Sequence, residues 1–503
     1  MTRTTSQSTP APQESENSDK LLSLDPRTGE VVGRYPVHGA EEVTDAVRRA
    51  REAGQWWAGL GFAGRKQRLD AWRRRLVRRL PELANLISTE TGKPIDDARL
   101  ELVLVVDHLH WAAHHAERVL RRRRVSPGLL MYNHAATLEY QPLGVVGVIG
   151  PWNYPAFTPM GSIAYALAAG NAVVFKPSEY TPGVGTWLAD TFAEVVPEHP
   201  VFRVVTGYGE TGAALCRSGV DKLAFTGSTA TGKRVMAACA ETLTPVLVEC
   251  GGKDALIVDA DADLEAAADA AVWGGMANAG QTCVGVERVY VVDAVADRFL
   301  DLVAQRARRL RAGGQDGADL GPITMPSQVD VIRGHIQAAL DAGARAVVGG
   351  LDSVRAPYVE PVVLTDVPED CAAVRDETFG PTITVNRVRD VAEALRLANG
   401  TRYGLAAAVF SRSRGEELAR RLRAGMVSVN SVISFAAVPA LPFGGVGDSG
   451  FGRIHGEDGL REFARPQAVT RRRFGALLEP MSFSRGTHTV RQLLRLVRLR
   501  YGR

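Results

Sequence analysis

The sequence predicts an α/β fold built from two doubly wound parallel-sheet domains. Short apolar runs without polar residues alternate with helical patterns, as expected for parallel strands that are buried on both faces. The chain has 503 residues, which is enough for two or three domains. The alternation occurs twice, before Glu249 and after Cys283, so we expect two α/β halves that meet at the stretch between these residues.

Helical and turn patterns come first along the chain. Residues 1–19 are rich in Ser, Thr, Gln, Glu and Pro, and we predict that they are disordered. Apolar stripes at helical spacing follow, and they include a long helix from Ala98 to about Arg122. Residues 125–142 carry turn residues at Pro127–Gly128 and at Asn133–His134, which predict a small β-hairpin.

Predicted strands and helices then alternate in both halves of the chain. The predicted strands of the first half are Gly144–Gly150, Ala172–Phe175, Val201–Val205, Leu223–Phe225 and Pro245–Val248. Those of the second half are Arg288–Val292, Ala346–Val348 and Glu360–Leu364, with helices at Ala296–Arg311 and Val331–Ala342. Clefts between such domains are common ligand sites, so we expect the functional site at the junction.

Bulk composition excludes several classes of protein. The net charge is only +4, which provides no global field for nucleic acid. Five cysteines are scattered without a Cys-x-x-Cys pair, which argues for a reducing cytoplasm and against disulfides or a zinc site; we therefore expect no metal. No apolar run approaches the ~18 residues of a membrane span, and the N-terminus lacks the apolar core of a secretory signal.

The C-terminal tail, residues 471–503, carries nine arginines and one acidic residue, Glu479. A basic amphipathic helix can lie on an anionic membrane surface. A helix that docks on a partner subunit, or a frayed end, is the alternative. The apolar face comprises Val490, Leu494, Val497 and Tyr501, and the basic face comprises Arg491, Arg495 and Arg498.

Two residue types at the junction favour chemistry on a carbonyl group. Glu249 closes an apolar strand, where a carboxylate is costly unless it is used or paired. Cys283 follows 34 residues later, in a predicted loop after a helix of small residues. A thiolate can attack a carbonyl carbon, and a carboxylate can later activate water. The pair is specific only through the motifs around it.

Glycine-rich loops provide two candidate sites for a dinucleotide. Gly207–Gly212 matches G-x-G-x-x-G after a strand, but the acidic residue expected about 20 positions later falls near Lys233, which has the wrong charge. Gly227 and Ser228 follow the next strand and open a helix, where backbone amides and a hydroxyl can bind phosphate. Lys176–Glu179 ends an earlier strand and could bind a ribose.

Seven short motifs span residues 20–470 in one order. They are Pro151–Pro155, Lys176–Glu179, Phe225–Ser228 with Gly232, Glu249–Lys253, Gly280–Cys283, Glu377–Pro381 and Pro442–Val446. In this order and spacing they resemble the motifs of the NAD(P)-dependent aldehyde dehydrogenase superfamily.

The resemblance implies catalytic roles for three residues. Cys283 would form a thiohemiacetal with the aldehyde, and loss of hydride to the nicotinamide would give a thioester. Glu249 would activate the water that hydrolyses the thioester, and it could also deprotonate the thiol. Asn153, with the backbone N–H of Cys283, would hold the oxyanion; one such donor lowers a barrier by roughly 3 kcal/mol.

The resemblance also implies a cofactor site. Lys176 and Glu179 would bind the adenosine ribose, Gly227 and Ser228 would face the pyrophosphate, and Glu377 would hold the nicotinamide ribose. The implied cofactor-binding residues are Ile149, Pro151, Trp152, Lys176, Ser178, Glu179, Gly207, Gly227, Ser228, Thr229, Gly232, Glu377 and Phe379. Because a carboxylate accepts a ribose 2′-OH and repels a 2′-phosphate, Glu179 predicts a preference for NAD over NADP, with NADP use possible.

Domain assignments follow from the same resemblance. The implied parts are a nucleotide-binding domain (20–124 and 143–248), a catalytic domain (249–446), an oligomerisation element (125–142 and 447–470) and the tail (471–503). The family forms dimers or tetramers, so we expect a homodimer or homotetramer.

The substrate pocket is predicted to be mostly apolar. The candidate pocket residues are Tyr154, Phe157, Thr282, Val284 and Phe435. No arginine within the motifs could clamp a substrate carboxylate, which favours an apolar aldehyde. The chain resembles the branch that oxidises long apolar or carotenoid aldehydes, with succinate-semialdehyde dehydrogenases as the second choice. CoA-dependent acylation and a non-catalytic, binding or structural role are rival readings; Glu249 argues against the first, and Glu249 with Cys283 against the second.

Overall fold

The computed structural model describes residues 20–315, 317–475 and 481–502. The segment 1–19, predicted to be disordered, lies outside these residues, as do 476–480 of the predicted tail. The chain divides into two units. The larger unit runs to Val119 and then from Pro142 to Ala464, and the smaller unit comprises Leu120–Gln141 and the residues from Arg465 onwards.

The first described elements are a strand pair and four helices. The stripe Val43, Val47 and Ala50 is buried on the first helix. The predicted long helix is α4, which begins directly after Pro94, a residue that disfavours helix at the position before it. The bounds are β1 Lys20–Leu24, β2 Val31–Pro36, α1 Ala40–Gly59, α2 Gly61–Arg78, α3 Leu80–Thr91 and α4 Ile95–Leu120.

A three-stranded sheet belongs to the smaller unit. Strand β3 (Arg123–Val125) pairs antiparallel with β4 (His134–Pro142), so the predicted hairpin forms around the short 3₁₀ turn Leu129–Met131. The third strand is Ala464–Arg472, on the other side of β4. Of the predicted element 447–470, residues 447–464 lie in the larger unit and 465–470 in the smaller one.

A six-stranded sheet carries the predicted nucleotide-binding motifs. Four of its five parallel strands are mainly buried apolar runs, the edge strand Phe202–Val204 is only partly buried, and helices pack against the sheet. The bounds are β5 Val145–Ile149, α5 Phe157–Ala169, β6 Ala172–Lys176, α6 Pro182–Ala193, β7 Phe202–Val204, α7 Gly209–Arg217, β8 Lys222–Gly227, α8 Thr229–Ala240 and β9 Val246–Cys250.

The order of strands in this sheet explains where its ligand site lies. The parallel strands lie in the order β9-β8-β5-β6-β7. The chain first adds β6 and β7 on one side of β5, and it then returns and adds β8 and β9 on the other side. Ligands of such sheets bind beyond the carboxyl ends of the strands at this reversal. Ile149 of β5 is in register with Lys176 on one side and Phe225 on the other, which brings the predicted motifs to one edge.

A seven-stranded sheet forms the second half, with strand order β12-β15-β16-β11-β10-β17-β18 and only β12 antiparallel. A separate strand pair, β13 and β14, stands beside it. The bounds are β10 Asp254–Val258, α9 Leu264–Met276, β11 Val286–Val292, α10 Asp293–Ala307, α11 Pro326–Asp341, β12 Arg345–Val348, β13 Val354–Arg355, β14 Tyr358–Val359, β15 Val362–Thr365, α12 Ala372–Arg375, β16 Thr382–Val388, α13 Val391–Ala398, β17 Ala406–Phe410, α14 Gly415–Ala419 and β18 Met426–Val429.

Both faces of the second sheet are covered. Val289 and Val291 of β11 belong to one hydrophobic cluster, whereas Tyr290 and Val292 belong to another. Alternate residues of a strand point to opposite faces, so each cluster fills one side of the sheet. This confirms the α/β fold with two doubly wound sheets, and it explains why the strands are continuous apolar runs rather than alternating ones.

The chain returns to the first sheet near its end. Strand β19 (Gly450–Phe451) pairs antiparallel with β9, and α15 (Gly456–Glu462) follows; the last elements are β20 (Ala464–Arg472) and α16 (Thr489–Tyr501). The predicted tail helix thus corresponds to α16, whose residues Val490, Leu494, Val497 and Tyr501 are exposed. Among the described helices, none combines the length and the apolar character that crossing a bilayer requires.

Candidate active site

Glu249 is a buried carboxylate without a hydrogen-bond partner. It lies near the end of β9, in register with Thr226 of β8 and Gly450 of β19, and it is 2% exposed. Neither carboxylate oxygen is bonded to any described residue. Burial raises the pKa of Glu249 to about 8, against a smaller lowering by Arg453. The ionised form of this carboxyl group, which predominates above about pH 8, is basic enough to accept a proton from a thiol or from water.

Cys283 lies on a loop with an unusual backbone. Helix α9 ends at Met276, and Asn278, Ala279 and Gly280 then all have positive φ angles of 54°, 53° and 72°. Two consecutive non-glycine residues in this region store strain, which is typical of functional sites. A Cβ on Gly280 would lie 2.0 Å from the carbonyl oxygen of Gly380, so only glycine lets the two loops touch.

The thiol of Cys283 is in an environment that disfavours the thiolate. Burial raises its pKa well above the ordinary value, and the carboxyl groups of Glu249, Glu377 and Asp254 raise it further. The backbone N–H of Val284 lowers it, but by less. If Cys283 acts as a nucleophile, it needs a base that removes its proton as it attacks, and Glu249 lines the same cavity with both carboxylate oxygens unpartnered.

A cavity of about 360 Å³ holds both groups. Its wall is almost entirely apolar, apart from Asp97, Glu101, Asn278 and a few hydroxyl and imidazole groups. Helix α4 supplies one side and the segment before Cys283 another. The residues that line it include Leu100, Val103, Phe157, Trp273, Phe443 and His455.

Exposed apolar side chains surround the opening of this cavity. Leu100 and Val103 on α4 are 60% and 57% exposed, and Trp273 on α9 is 53% exposed. Exposed apolar groups grouped at a cavity mark a surface that binds apolar matter. No lysine or arginine is among the described residues that line the cavity, so a carboxylate on a bound molecule would find no partner here.

Four of the five predicted pocket residues line the cavity, and one does not. Tyr154, Phe157, Thr282 and Val284 do, and the hydroxyl groups of Tyr154 and Thr282 are 3.0 Å apart. Phe435 instead packs against Phe443, with ring centroids 6.0 Å apart, and lines a smaller neighbouring cavity. Phe435 thus borders the neighbouring cavity rather than the one that holds Cys283.

Asn153 lies in the turn after β5, against the loop of Cys283. Its Nδ2 donates a hydrogen bond to the carbonyl oxygen of Gln281 (3.0 Å), and its own carbonyl accepts one from Nζ of Lys93 (2.7 Å). Lys93 also pairs with Glu101 (2.8 Å). Glu101 in turn accepts hydrogen bonds from the backbone N–H groups of Ala156 and Phe157, shortly after Asn153. A buried ion pair therefore holds this turn in place.

Lys176 and Glu179 stand together beyond β6. The Nζ atom of Lys176 is 3.6 Å from Oε2 of Glu179, and burial lowers the pKa of this lysine. The loop from Gly207 lies beside them, since a Cβ on Gly212 would approach both Ile149 and Lys176 to within 3.8 Å. Charged groups of both signs thus face the crevice where the sheet reverses its winding.

Ser228 caps the helix that opens at the same crevice. Its hydroxyl accepts a hydrogen bond from the N–H of Thr231 (3.3 Å), and α8 begins at Thr229, whose hydroxyl donates to the carbonyl of Asp448 (2.9 Å). Gly232 packs on Cys250, 3.0 Å from its sulfur if a Cβ is added. A helix start of this kind binds phosphate, so the residues present fit a dinucleotide.

Glu377 reaches the turn that follows Glu249. Its Oε1 accepts a hydrogen bond from the N–H of Gly252 (3.2 Å), and a Cβ on Gly251 would lie 2.1 Å from both carboxylate oxygens. Burial raises the pKa of Glu377 to about 8, and Glu287 raises it further. The absence of a side chain at Gly251 is therefore what admits this carboxyl group.

Two aromatic rings complete the crevice. Phe379 has a φ angle of 52°, which is strained for a bulky residue, and its ring meets Trp152 edge to face with centroids 5.6 Å apart. Trp152 also contacts Tyr180. The Pro151–Trp152 turn and the Glu377–Phe379 loop therefore face each other across the two halves of the larger unit.

The sequence model of the aldehyde dehydrogenase family matches residues 13–469. The chain belongs to the aldehyde dehydrogenase family. It is 38% identical to the 4,4'-diapolycopene aldehyde oxidase of Methylomonas sp over 450 residues, which cover 89% of this chain and 84% of that protein. It is 36% identical to a Mycolicibacterium smegmatis protein provisionally assigned as a succinate-semialdehyde dehydrogenase (NADP(+)), over 91% and 90% of the two chains.

Solved structures of aldehyde dehydrogenases share this fold. The NAD-dependent aldehyde dehydrogenase from Sinorhizobium meliloti superposes with a TM-score of 0.87 at 33% identity, and the match covers 92% of this chain and 93% of the other. Fold and family agree with the expectation drawn from the seven motifs.

One buried residue of this aldehyde dehydrogenase, Glu287, lies outside the seven motifs but connects two of them. Lys253 pairs with Glu287 and bonds to Thr378 (3.0 Å), and Glu287 accepts hydrogen bonds from the N–H groups of Thr378 and Phe379. This network joins the Glu249 turn to the Phe379 loop. Glu287 could have been found from the sequence, because a carboxylate inside an apolar strand needs a partner.

One group of possible metal ligands exists outside the cavity lining. Atoms of Asp70, His110 and His114 lie within 4.8 Å of one another on α2 and α4. Lys66 and Arg73 both pair with Asp70, at 2.8 and 3.4 Å, and so compete with any cation for its carboxylate. The group therefore gives no reason to revise the expectation that the reaction uses no metal.

Proposed function

We propose that this aldehyde dehydrogenase oxidises an apolar aldehyde to the carboxylic acid through a covalent adduct on Cys283. The observation that carries the proposal is the apolar cavity into which both Cys283 and the unpartnered carboxyl group of Glu249 open. A nucleophile and a base that share one apolar cavity can act in turn on the same carbonyl carbon.

The chemistry assigned to this chain's residues has two halves. The sulfur of Cys283 adds to the aldehyde carbon as Glu249 takes the thiol proton, which gives a thiohemiacetal. A nicotinamide dinucleotide held at the crevice would supply the hydride acceptor for oxidation of this adduct to a thioester. Glu249 first passes the thiol proton to solvent; it then takes a proton from water, the hydroxide adds to the thioester carbon, and the C–S bond breaks to release the acid and the thiolate.

Oxyanion stabilisation falls to Asn153 and to the backbone N–H of Cys283. The amide of Asn153 has two N–H groups, and only one of them is needed for the bond to Gln281. The second can donate to an oxygen on the substrate carbon. The Lys93–Glu101 pair supports this role, because it fixes the turn from which the amide projects.

The exposed apolar rim supports a long apolar aldehyde. A chain longer than the cavity can lie on Leu100, Val103 and Trp273, which removes their surface from water. The alternative, a semialdehyde that carries a carboxylate, is supported by the 36% identity to the M. smegmatis protein. Asp97 lines the cavity and would repel that carboxylate, whereas Glu101 is paired with Lys93, so we favour the apolar substrate.

A chain-length series of aldehydes tests the proposal. We expect kcat/KM to rise from short to long n-alkanals and to exceed that of succinate semialdehyde at every length above a few carbons. The Cys283→Ala variant should lose at least about 1,000-fold in kcat, since no other group can form the adduct. The Cys371→Ala variant, at a buried thiol in the second sheet, is the control. NADH formation by the Cys283→Ala variant at the wild-type rate would disprove the proposal.

A CoA-dependent reaction is the rival enzyme reading. Glu249 supports hydrolysis, because a buried base next to the thioester activates water. Turnover with added CoA distinguishes the two, since acyl-CoA formation at the expense of the free acid would favour the rival.

We infer a preference for NAD over NADP. The carboxylate of Glu179, beside Lys176 at the crevice, would accept a ribose 2′-OH and repel a 2′-phosphate. Replacing Glu179 with threonine should lower the kcat/KM ratio of NAD to NADP by about tenfold or more. Equal ratios in the wild type and the variant would contradict this assignment.

We also propose that the enzyme assembles as a dimer or tetramer through its smaller unit. Leu129, Leu130 and Tyr132 are exposed apolar residues next to the three-stranded sheet, which supports an interface there. The Leu130→Glu variant should shift the mass measured by light scattering towards the monomer. An unchanged mass for this variant would place the interface elsewhere.

The basic helix α16 is proposed to contact anionic membranes peripherally. Its exposed apolar residues include Leu494 and Leu499, and arginines flank them. The free thiols fit a cytoplasmic enzyme. Full-length protein should float with vesicles that contain phosphatidylserine, whereas a chain that ends at residue 470 should not; equal flotation would eliminate the membrane contact.

A further inference from the structure

A histidine in the cavity wall lacks the hydrogen bonds that its burial demands. His455 is 1% exposed, and neither ring nitrogen has a partner among the described residues. It lines the cavity that holds Cys283. A buried polar group without a partner costs about 1–3 kcal/mol, and most such groups in proteins are satisfied. An unpartnered polar group on the wall of a ligand cavity is placed to bond a ligand that enters the cavity.

The packing of the ring determines which nitrogen is available. A Cβ on Gly161 of α5 would lie 2.7 Å from Nε2 of His455 and 3.2 Å from Cδ2, so this edge of the ring lies against the helix. In an imidazole ring Nδ1 is the atom opposite the Nε2–Cδ2 edge. Nδ1 is therefore the nitrogen that points away from α5, and Gly161 is the position whose lack of a side chain lets the ring sit there.

The surroundings of His455 select for an uncharged partner. Its ring lies 3.9 Å from that of His108, 5.4 Å from Phe443 and 5.6 Å from Phe157, measured between centroids. Burial and the neighbouring His108 hold the pKa of His455 well below its ordinary value, and burial lowers the pKa of His108 as well. Both rings are thus neutral at neutral pH, and they offer no charge to a carboxylate.

His108 cannot satisfy its neighbour in this arrangement. Its Nε2 lies 3.0 Å from the carbonyl oxygen of Ala436 and donates to it, which leaves Nδ1 as a bare acceptor, and that atom is also unpartnered. The two rings meet tilted by 52° rather than through an N–H···N bond. The hydrogen-bonding capacity of His455 is consequently left for a molecule in the cavity.

We propose that His455 is a specificity-determining residue that hydrogen-bonds a second, uncharged oxygen on the aldehyde substrate. The substrate class is an apolar aldehyde whose chain carries one hydroxyl or carbonyl group. The neutral imidazole can donate to a carbonyl or accept from a hydroxyl. This inference rests on the proposed function, because it takes the chain of the aldehyde to occupy the cavity of Cys283.

Pairs of aldehydes of equal length test the inference. One member is an n-alkanal, and the other carries a hydroxyl group that is moved along the chain from one pair to the next. At one position we expect the wild type to prefer the hydroxylated member by roughly three- to tenfold in kcat/KM, relative to the other positions. His455→Phe should remove this peak, and His455→Asn should retain part of it. His115→Phe, on the same helix as His108 but outside the cavity lining, should keep the peak.

The outcomes separate this inference from the proposed function. Oxidation of every n-alkanal with no peak at any hydroxyl position would overturn the role of His455 and leave the proposed function standing. Absence of aldehyde oxidation altogether would overturn the proposed function instead. If His455→Phe does not fold, the wild type still decides, because the ¹⁵N shift of the His455 imidazole should move on binding the hydroxylated acid and not the plain acid. An equal shift with both acids would also refute the inference.

Discussion

The side-chain amide of Asn153 donates a hydrogen bond to the carbonyl oxygen of Gln281 across 3.0 Å, two residues before the nucleophile. This single bond connects the turn after the central strand of one sheet to the catalytic loop before the other. The position of the proposed oxyanion donor is thereby tied to that of Cys283. A substitution that moves one of these segments should therefore also change the position of the other.

The rate of thioester hydrolysis should depend on the ionisation of Glu249. Burial raises its pKa to about 8, so below that pH the carboxyl group is mostly protonated and cannot accept a proton from water. We expect kcat, where hydrolysis limits it, to rise with pH up to about 8 and then level off. Glu249→Gln should abolish this limb and lower kcat by about 100- to 1,000-fold.

Glu377 provides the matched control for this pH profile. Its pKa is also raised to about 8, but it does not line the cavity of Cys283. Glu377→Gln should therefore keep the limb near pH 8 while it raises KM for the dinucleotide. A profile that disappears in the Glu377 variant and survives in the Glu249 variant would reverse the assignment of the base.

The buried carboxyl group of Glu249 should make the protein less stable as the pH rises. The folded-state pKa of Glu249, about 8, lies above the ordinary value of 4.5, so between these values the folded state holds more protons than the unfolded state. Stability is then lost as pH increases through this window, by up to about 1.4 kcal/mol per pH unit. Glu249→Gln should raise Tm relative to the wild type, with a gap that grows from pH 5 to pH 8.

An exposed carboxylate with the opposite shift serves as the comparison for stability. The pKa of Glu393 is lowered to about 2, mainly by its hydrogen bond from Arg389. Its contribution is present above the unfolded pKa and is lost as pH falls towards 2, so Glu393→Gln should not raise Tm at pH 8. A Tm for Glu249→Gln that stays below the wild-type value at pH 8 would show that the buried charge is compensated.

Gly251→Ala should weaken cofactor binding. The added Cβ would lie 2.1 Å from both carboxylate oxygens of Glu377, which must then leave its place beside Gly252. We expect KM for the dinucleotide to rise about tenfold or more, with a smaller change in KM for the aldehyde. Gly209→Ala is the matched control, because a Cβ there meets nothing within 4 Å; an equal effect of the two substitutions would mean that Glu377 does not hold the cofactor.

A charge on the rim should discriminate against long aldehydes. Leu100→Glu places a carboxylate at the opening of the cavity, where a long chain would otherwise cover an apolar surface. The ratio of kcat/KM for a long alkanal to that for a short alkanal should fall by about three- to tenfold. Val77→Glu, at a residue of α2 that is 48% exposed and absent from the cavity lining, should leave this ratio unchanged. A constant ratio in both variants would remove the rim from the substrate path.

Motif and periodicity were sufficient for the fold and for most of the site. Strands such as Val145–Ile149 are apolar throughout because both faces are covered, and this pattern is visible in the sequence. The same holds for Cys283 and Glu249, whose residue types are conspicuous in their surroundings. The structure places Phe435 at a neighbouring cavity, because which of two contacting phenylalanines faces a given cavity depends on side-chain packing that no local pattern encodes.

Contacts between distant segments could not be predicted in the same way. The pairs Lys93–Glu101 and Lys253–Glu287 join residues that are charged and buried, yet each charge looks ordinary until the fold brings its partner close. His455 is hidden for a further reason, since its significance lies in bonds that it does not make. The position of residues 447–464 in the larger unit likewise depends on the pairing of β19 with β9, which no local pattern encodes.

The pairing of Gly450 with Glu249 has a consequence for biosynthesis. Strand β9 has β8 on one side, and its other side is covered only when Gly450–Phe451 arrives, about 200 residues later in translation. Until then the ribosome-bound chain exposes the unpaired edge of an apolar strand, which can pair with strands of other chains. Chains that are truncated before residue 450 should therefore be insoluble, even when all the strands from β5 to β9 are present.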